Sequence, residues 1–346
     1  MTTLDHRVVA ATVHGHMSST SRPIDPGPPA LVVDHVSRAI GGRNVVDRVS
    51  FEVADGELMV LVGPSGCGKS SLLRVIAGLD PAPGGRVFLD GDDVSALPPE
   101  KRRIGLVFQD HALFPHRRVE QNIAFGLTRL DRAARARRVA ELLELVRLPG
   151  VGKRYPHELS GGEQQRIALA RALAPDPAVV LLDEPFASLD TTLRDDVRND
   201  VVAALRARNA AAVLVTHERD EALALGDRIA VMNGGRVLQI DRPDEVYERP
   251  VDRFVAEFLG EASFLPDGHG QLLMARPHDL AVVAGGHDTV IARRYLGSTW
   301  RYRIARSDGI TVGIDMPVGP GDDALPVGAA CTITVVATHP LHRLPA

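Results

Sequence analysis

Several features that would narrow the class of this 346-residue protein are scarce or missing from its sequence. Aromatic residues make up 4% of the chain, which leaves few platforms on which the bases of single-stranded nucleic acid could stack. The formal net charge is −4, so the chain also lacks the basic excess that is typical of a general nucleic-acid binder. The two cysteines, Cys67 and Cys331, lie far apart, so we expect no disulfide framework and a reducing compartment.

Long apolar runs are missing as well. None approaches the ~18 residues that a membrane-spanning helix needs, and the N-terminus has no apolar core of the kind found in a secretory signal. We therefore expect a cytosolic chain whose membrane role would depend on partner proteins. Residues 1–29 are rich in Ser, Thr, His and Pro without periodicity, and we expect them to be a disordered tail. Within this tail, both Met1 and Met17 are candidates for the true start.

A glycine-rich run between an apolar strand and a helix is the clearest positive feature. Residues 58–62 predict the strand and residues 71–77 the helix, and the run between them fits the pattern of glycine, four residues, glycine, lysine and serine. In this pattern, backbone N–H groups at a helix N-terminus surround phosphate oxygens, Lys69 reaches the β- and γ-phosphates, and Ser70 holds Mg²⁺. A glycine turn without a ligand is the alternative, which the flanking strand and helix disfavour. The predicted nucleotide-binding residues are Gly63, Pro64, Ser65, Gly66, Cys67, Gly68, Lys69, Ser70 and Ser71.

Buried strands alternate with helices after this loop. Unbroken apolar runs predict parallel strands that are buried on both faces, as in a doubly wound α/β core. These runs are 104–108, 178–182 and 211–215. Ligands of such folds lie at the carboxyl ends of the strands, where Gln109, Asp183, Glu184 and His217 are found. The alternatives are a surface glutamine, two acids that cap a helix, and a structural histidine.

The remaining pattern predicts smaller units around this core. Strands at 30–33 and 45–53 predict an antiparallel β flap, and helices at 131–148 and 159–174 predict a helical subdomain over about 110–170. Another helix is predicted from Val197, and Asn233-Gly234 predicts a hairpin.

Short β-rich runs separated by Gly, Pro and Asp replace helices from about residue 262 and predict a small β-barrel over 262–346. These runs are 272–274, 289–294, 300–304, 310–314 and 331–336. Trp300, Tyr302 and Ile304 alternate along one strand and are expected to face its core.

The segment Leu159-Ser160-Gly161-Gly162-Glu163-Gln164-Gln165 resembles the signature of ATP-binding cassette (ABC) transporter ATPase subunits that serve bacterial solute importers. A phosphate loop alone would leave kinases, GTPases and helicases open, whereas the loop together with this signature does not. The resemblance implies an ABC ATP-binding domain over 30–261 and a TOBE-like barrel over 262–346. Residues 276–279 and 294–302 carry the match to that barrel.

The resemblance implies an ATP hydrolase that uses ATP and Mg²⁺. It makes Glu184 the general base and His217 the residue that contacts the γ-phosphate. It assigns Mg²⁺ to Ser70, Gln109 and Asp183, and it has Gln109 also relay the occupancy of the site to membrane subunits.

The resemblance further implies a dimer, in which Ser160, Gly161, Gly162 and Asp190 act on the nucleotide held by a second ATPase subunit. A homodimer is expected, and a heterodimer is the alternative. Two transmembrane permease subunits, and indirectly a solute-binding protein, are the other implied partners; nucleic acid is not. Residues 114–126 resemble the segment that receives a short helix of the permease. The implied location is the cytoplasmic face of the membrane.

The sequence departs from the family pattern at two positions. Ile40 stands where the family carries an aromatic residue that stacks on adenine, and its loss is expected to weaken ATP binding by roughly 1 kcal/mol. Glu163 replaces a glutamine, a change that we expect to be tolerated.

Because a single barrel fits the C-terminal length, ferric iron or a polyamine is the expected solute. The alternatives are sulfate, molybdate, thiamine or sugar. Another class, a non-transport or regulatory ABC protein with weak ATP binding, is disfavoured by the complete set of predicted site residues. Whether the barrel binds a regulator is left open by the sequence.

Overall fold

The computed structural model describes residues 29–267, 271–319, 324–337 and 339–345. The predicted N-terminal tail, with Met17, lies outside these residues apart from Pro29. The helices within the described residues are α1 (Lys69–Ile76), α2 (Val119–Ile123), α3 (Arg132–Leu145), α4 (Gly161–Leu173), α5 (Thr191–Ala207), α6 (Arg219–Leu225), α7 (Pro243–Glu248) and α8 (Arg253–Leu259). None of these helices is both long and apolar enough to cross a bilayer.

Among the residues that the structure describes, the strands form four sheets. Those before residue 262 are β1 (Leu31–Ile40), β2 (Arg43–Val53), β3 (Leu58–Val62), β4 (Gly84–Leu89), β5 (Asp92–Asp93), β6 (Ile104–Val107), β7 (Val179–Asp183), β8 (Ala211–Thr216), β9 (Arg228–Asn233) and β10 (Arg236–Asp241). Those after it are β11 (Ser263–Pro266), β12 (Gln271–Ala275), β13 (Leu280–Tyr295), β14 (Thr299–Ala305), β15 (Thr311–Pro317), β16 (Ala330–Val335) and β17 (His342–Pro345).

A six-stranded sheet with the order β10-β9-β3-β8-β7-β6 forms the centre of the molecule. Strands β9, β3, β8, β7 and β6 are parallel, and β10 is antiparallel to β9, as the Asn233-Gly234 turn predicts. The apolar side chains of β3 alternate between two cores. Val60 and Val62 face a cluster formed with α4 and α5, whereas Met59 and Leu61 face α1 and the flap. The doubly wound core is confirmed.

The predicted flap is an antiparallel sheet with the order β2-β1-β4-β5. The predicted amphipathic helix is α3, and it buries Val139, Leu142 and Leu143. Helix α5 begins at Thr191 rather than Val197. Its start has two threonines and mixed charges, and β-branched residues are weak helix formers, so the apolar periodicity becomes visible only later.

The C-terminal residues form two antiparallel sheets, β11-β12-β17 and β15-β14-β13-β16, which share one main apolar core. Tyr302 and Ile304 are buried in this core and Trp300 packs against it, as predicted. The predicted β-rich run at 289–294 is only the second half of strand β13, which begins at Leu280. The pairing of β13 with β16 shifts its register between Ala284 and Asp288. The glycines within that irregularity break the alternation on which strand prediction depends.

Candidate nucleotide site

Four neighbouring strands of the central sheet end at one edge, and each is followed by a predicted site residue. In the order β3, β8, β7, β6, these are the glycine-rich loop, His217, Glu184 and Gln109. This spatial order differs from the chain order, because β8 is inserted between β3 and β7. The doubly wound topology therefore places the histidine between the glycine-rich loop and the acid.

The glycine-rich loop is packed so closely at Gly63 and Gly68 that a side chain is excluded at these two positions. A Cβ atom on Gly63 would lie 2.1 Å from the carbonyl oxygen of Met232, and one on Gly68 would lie 2.0 Å from that of Val45. Gly68 is also the N-cap of α1 with φ 111°, a left-handed conformation that favours glycine. The loop is thus fitted between β9 and the flap, with its backbone at the N-terminus of α1.

Lys69 is the first residue of α1 and is 4% exposed. Its Nζ atom donates hydrogen bonds to the carbonyl oxygens of Gly63 at 2.7 Å and Pro64 at 3.0 Å. The ammonium group is therefore held over the loop where phosphates are expected. Cys67 is buried beside it, and burial raises the pKa of the Cys67 thiol.

Ser70 and Asp183 are joined across the edge of the sheet. The Ser70 hydroxyl donates a hydrogen bond of 2.8 Å to Oδ1 of Asp183. Burial is the main reason that the pKa of Asp183 is raised, and the bond from Ser70 opposes this effect. The described residues contain no cluster of three or more His, Cys, Asp or Glu side chains that would hold a metal by themselves. A hydroxyl beside a carboxylate fits Mg²⁺, which takes few protein ligands alongside water and phosphate oxygens.

Glu184 and His217 form the second pair at this edge. Oε2 of Glu184 lies 3.1 Å from Nδ1 of His217, and the two side chains are 19% and 42% exposed. The backbone of Glu184 has φ 45°, and its N–H donates to the carbonyl of Val215 on β8 at 3.0 Å. A left-handed glutamate is unfavourable by about 1–3 kcal/mol, and such conformations concentrate at functional sites. The fold therefore holds this carboxylate against the imidazole.

The signature segment begins α4 with a capping box. The Ser160 hydroxyl accepts from the N–H of Glu163 at 3.3 Å, and the Glu163 carboxylate accepts from the N–H of Ser160 at 2.8 Å. This last bond is the main reason that the pKa of Glu163 is lowered. Ser160, Gly161 and Asp190 are exposed, and Gly162 is buried against α5. The expected tolerance of Glu163 has a physical basis, because its carboxylate serves as the N3 residue of the box.

The segment after Gln109 contains contacts that sequence reasoning did not identify. Gln109 itself is exposed, but His111 and Ala112 have φ 62° and 46°. Arg171 of α4 donates to their carbonyl oxygens at 2.9 Å and 2.6 Å. The loop that carries Gln109 is thus fastened to the helix that carries the signature. The sequence contains no signal for this contact, since the residues are about 60 positions apart.

Ile40 ends β1 immediately before the Gly41-Gly42 turn and is 51% exposed. That Ile40 stands at the adenine side of the site stays a prediction.

These features define a P-loop nucleotide-binding protein with its site at the carboxyl edge of a parallel sheet. The chain belongs to the ABC transporter family, whose pattern matches residues 46–187. It is 42% identical over 307 residues to the sulfate/thiosulfate import ATP-binding protein CysA of Caulobacter vibrioides, a match that covers 81% of this chain and 90% of that protein. It is 46% identical over 264 residues to the spermidine/putrescine import ATP-binding protein PotA of Nitrosospira multiformis, covering 76% and 72%.

A third relative is the Fe(3+) ions import ATP-binding protein FbpC of Streptomyces coelicolor, 50% identical over 236 residues, with 67% of this chain and 68% of that protein covered. Among solved structures, the fold is similar to the ATP-binding cassette MJ0796, in a dimeric post-hydrolysis state bound to ADP and Pi. The TM-score is 0.54 at 28% identity, over 62% of this chain and 98% of that one. The predicted family, ATPase class and role as an import subunit are confirmed.

Proposed function

We propose that this chain binds ATP and Mg²⁺ between two ATPase subunits and hydrolyses the ATP at Glu184 to drive solute import. The observation that carries the proposal is the Glu184–His217 pair, 3.1 Å apart, beside the glycine-rich loop. A carboxylate held against an imidazole, next to a loop built for phosphate, supports a hydrolytic rather than a purely regulatory site.

The phosphate chain would lie along the glycine-rich loop. Its oxygens would accept from the backbone N–H groups at the start of α1 and from Lys69, whose present acceptors are carbonyls of the same loop. Ser70 and Asp183, already paired at 2.8 Å, would hold Mg²⁺ together with Gln109. When bound, the ion supplies positive charge to the β- and γ-phosphates.

Glu184 would accept the proton of the attacking water. His217 would contact the γ-phosphate with the ring nitrogen that does not face Glu184, so the carboxylate orients the imidazole as well. Both side chains come from loops that follow adjacent strands, which keeps their relative position rigid.

A second subunit would complete the site. Ser160 and Gly161 are exposed at the N-terminus of α4, where orphan N–H groups favour an anion. Together with Gly162 and Asp190 they would face the nucleotide of the partner. The similarity to a dimeric cassette bound to ADP and Pi supports this arrangement. A homodimer is the simplest assembly for a chain that contains one cassette.

Two permease subunits are the proposed membrane partners, and they would place the chain at the cytoplasmic face of the membrane. An aromatic patch supports a docking site within 114–126: the rings of Phe114 and Phe125 lie 4.7 Å apart, and Arg117 lies over both. Phe125 is 50% exposed and lines a groove of about 440 Å³. Such a groove fits a short amphipathic helix of a permease.

Ferric iron or a polyamine is the proposed solute, and sulfate is the alternative that a relative of similar identity supports. A solute-binding protein and the permeases would make the selection. We also propose the domain limits 30–261 and 262–346, with the helical subdomain at about 110–170. The change from helix-rich to antiparallel β structure after α8 supports the first boundary.

The substitution Glu184→Gln tests the mechanism. We expect steady-state phosphate release to fall by about 10²–10⁴-fold, because the general base is lost. The variant should nevertheless form a stable dimer with saturating Mg²⁺–ATP, measured by light scattering. Glu144→Gln, the same change at an exposed site on α3, is the matched control and should behave as the wild type.

A Glu184→Gln chain that hydrolyses ATP normally and stays monomeric would refute the mechanism. A regulatory protein with weak ATP binding would show no ATP-dependent dimer in any variant.

A further inference from the structure

The loop that carries His217 is anchored on both sides of the histidine. Before it, the Thr216 hydroxyl donates a hydrogen bond of 2.7 Å to Oε2 of Glu221, which is only 3% exposed. After it, the N–H of Glu218 donates back to the Thr216 hydroxyl at 3.0 Å. The turn at His217 is therefore defined by the two residues that flank it.

Arg194 connects this turn to a second loop. The residue lies in the first turns of α5, and its side chain is 21% exposed. Its Nη1 atom donates to Oε1 of Glu218 at 2.5 Å, and its Nη2 atom donates to the carbonyl oxygen of Leu189 at 3.2 Å. Leu189 precedes Asp190, which we place opposite the nucleotide of the partner. One guanidinium group thus bonds both the loop that faces the partner and the residue next to His217.

We propose that Arg194 is a positioning residue that couples the Ser188–Asp190 loop of a subunit to its own His217. This inference rests on the proposed function. The planar guanidinium group presents two donors at a fixed angle, so a displacement of Leu189 moves Glu218 and with it the backbone of His217. Lysine carries the same charge but has no fork, and it cannot hold both acceptors in this geometry. Closure of the dimer around one nucleotide would thereby adjust the histidine at the other.

Arg198 provides a matched control one turn further along α5. Its side chain is 19% exposed, close to the value for Arg194, and its ion pair is with Asp195 on the same helix. The Nε atoms of both arginines are buried without a hydrogen-bond partner among the described residues. Arg198→Met therefore removes a similar side chain from the same helix but leaves the bonds to Glu218 and Leu189 intact.

The experiment compares Arg194→Met, Arg194→Lys and Arg198→Met in the full chain. We expect Arg194→Met to lower kcat by about 10-fold or more, since small displacements of catalytic groups have effects of this size. The KM for ATP should change little, because no phosphate contact is removed, and the Hill coefficient for ATP should fall toward that of independent sites. Arg194→Lys should have a kcat between those of Arg194→Met and the wild type. Arg198→Met should match the wild type in kcat, in the KM for ATP and in the Hill coefficient.

Two outcomes would overturn the proposal. One is an Arg194→Met chain whose kcat and Hill coefficient equal those of Arg198→Met. The other is a loss of kcat that lost stability alone explains. Arg194→Met and Arg198→Met would then show the same fall in melting temperature and the same fall in kcat. If Arg194→Met does not fold, a cycle of Arg194→Lys and Glu218→Gln decides: additive losses of kcat would reject the coupling, and non-additive losses support it. A failure of the proposed function can be told apart from a failure of this coupling. In the former case the wild type itself would show no hydrolysis that depends on Glu184.

Discussion

Three buried cations among the described residues donate to backbone carbonyls, and two of them form a comparison: one lies in the phosphate loop and one at the base of the C-terminal sheets. Lys69 is 4% exposed and Arg276 is 2% exposed. The acceptors of Lys69, Gly63 and Pro64, lie six and five positions away in the same loop. The acceptors of Arg276 lie 15 to 29 positions away and belong to Tyr247, Ala256, Gly260 and Glu261.

This difference separates a ligand site from a structural junction. Phosphate oxygens can replace the two carbonyls of Lys69 without moving any other element, and an ammonium group can rotate its donors toward new acceptors. Arg276 instead ties α7, α8 and the chain beyond them to the C-terminal sheets, and it also lies 4.0 Å from the ring centroid of Tyr247. Burial lowers the pKa of Arg276, yet an arginine stays charged, so all of its acceptors must remain in place.

Substituting each cation by methionine should separate the two roles and gives the largest effects. Lys69→Met is expected to lower ATP hydrolysis by about 10²–10³-fold, the scale for losing a donor to developing charge, with a loss of unfolding free energy near 1 kcal/mol. Arg276→Met should show the reverse. Its unfolding free energy should fall by about 3 kcal/mol or more, because several buried carbonyls lose their hydrogen-bond donor, and its rate of ATP hydrolysis should change little. Urea unfolding and phosphate release measure the two quantities.

Arg276→Lys is the control for the junction, since it keeps the charge but lacks the fork, and an intermediate stability is expected. The contrast between the two cations is wrong if Lys69→Met destabilises the chain more than Arg276→Met does.

A smaller effect is expected from adding an aromatic ring at Ile40. It tests whether ATP affinity comes from phosphate contacts alone, without stacking on the base. Ile40→Tyr would add an aromatic ring at the rim of the flap, where Ile40 is 51% exposed. Stacking on the base is worth roughly 1 kcal/mol, which corresponds to about a fivefold lower KM for ATP at unchanged kcat. Ile40→Leu, which adds no ring, is the control. An unchanged KM in Ile40→Tyr would mean that another side chain contacts the base.

The smallest effect concerns the capping box of α4, which is a local contact. Glu163→Gln retains the acceptor for the Ser160 N–H but removes a charge near a helix N-terminus, which contributes a few tenths of a kcal/mol at an exposed site. The folded-state pKa of Glu163 lies below its ordinary value of 4.5. Its contribution is therefore present above pH 4.5 and is lost as the pH falls through the folded-state pKa. Unfolding at neutral pH and below pH 4 should show a difference from wild type that shrinks with acidity. A difference independent of pH would contradict the role of the charge.

The central sheet was predictable because its strands are unbroken apolar runs with polar residues at their ends, as at Asp183. Strand β13 was predicted only in its second half, since a register shift beside glycines interrupts its alternation. The start of α5 was predicted late, because its first residues have no apolar periodicity. Both missed segments lack the apolar periodicity of the element that they form, so the sequence pattern could not predict them.

The candidate site divides in the same way. The sequence by itself determined the glycine-rich loop and the signature at the start of α4, because backbone clearance and helix capping are local requirements of residue type. It predicted Glu184 and His217 as site residues from their places directly after buried strands and from the family resemblance.

Only the tertiary structure decided which of these groups meet. The insertion of β8 between β3 and β7 puts His217 against Glu184, and it also sets the reach from Ser70 to Asp183. The fork of Arg194 and the junction at Arg276 join residues that are far apart in the chain. Pairings of this kind depend on the packing of whole elements, since any one residue has many possible partners until the sheet order is set.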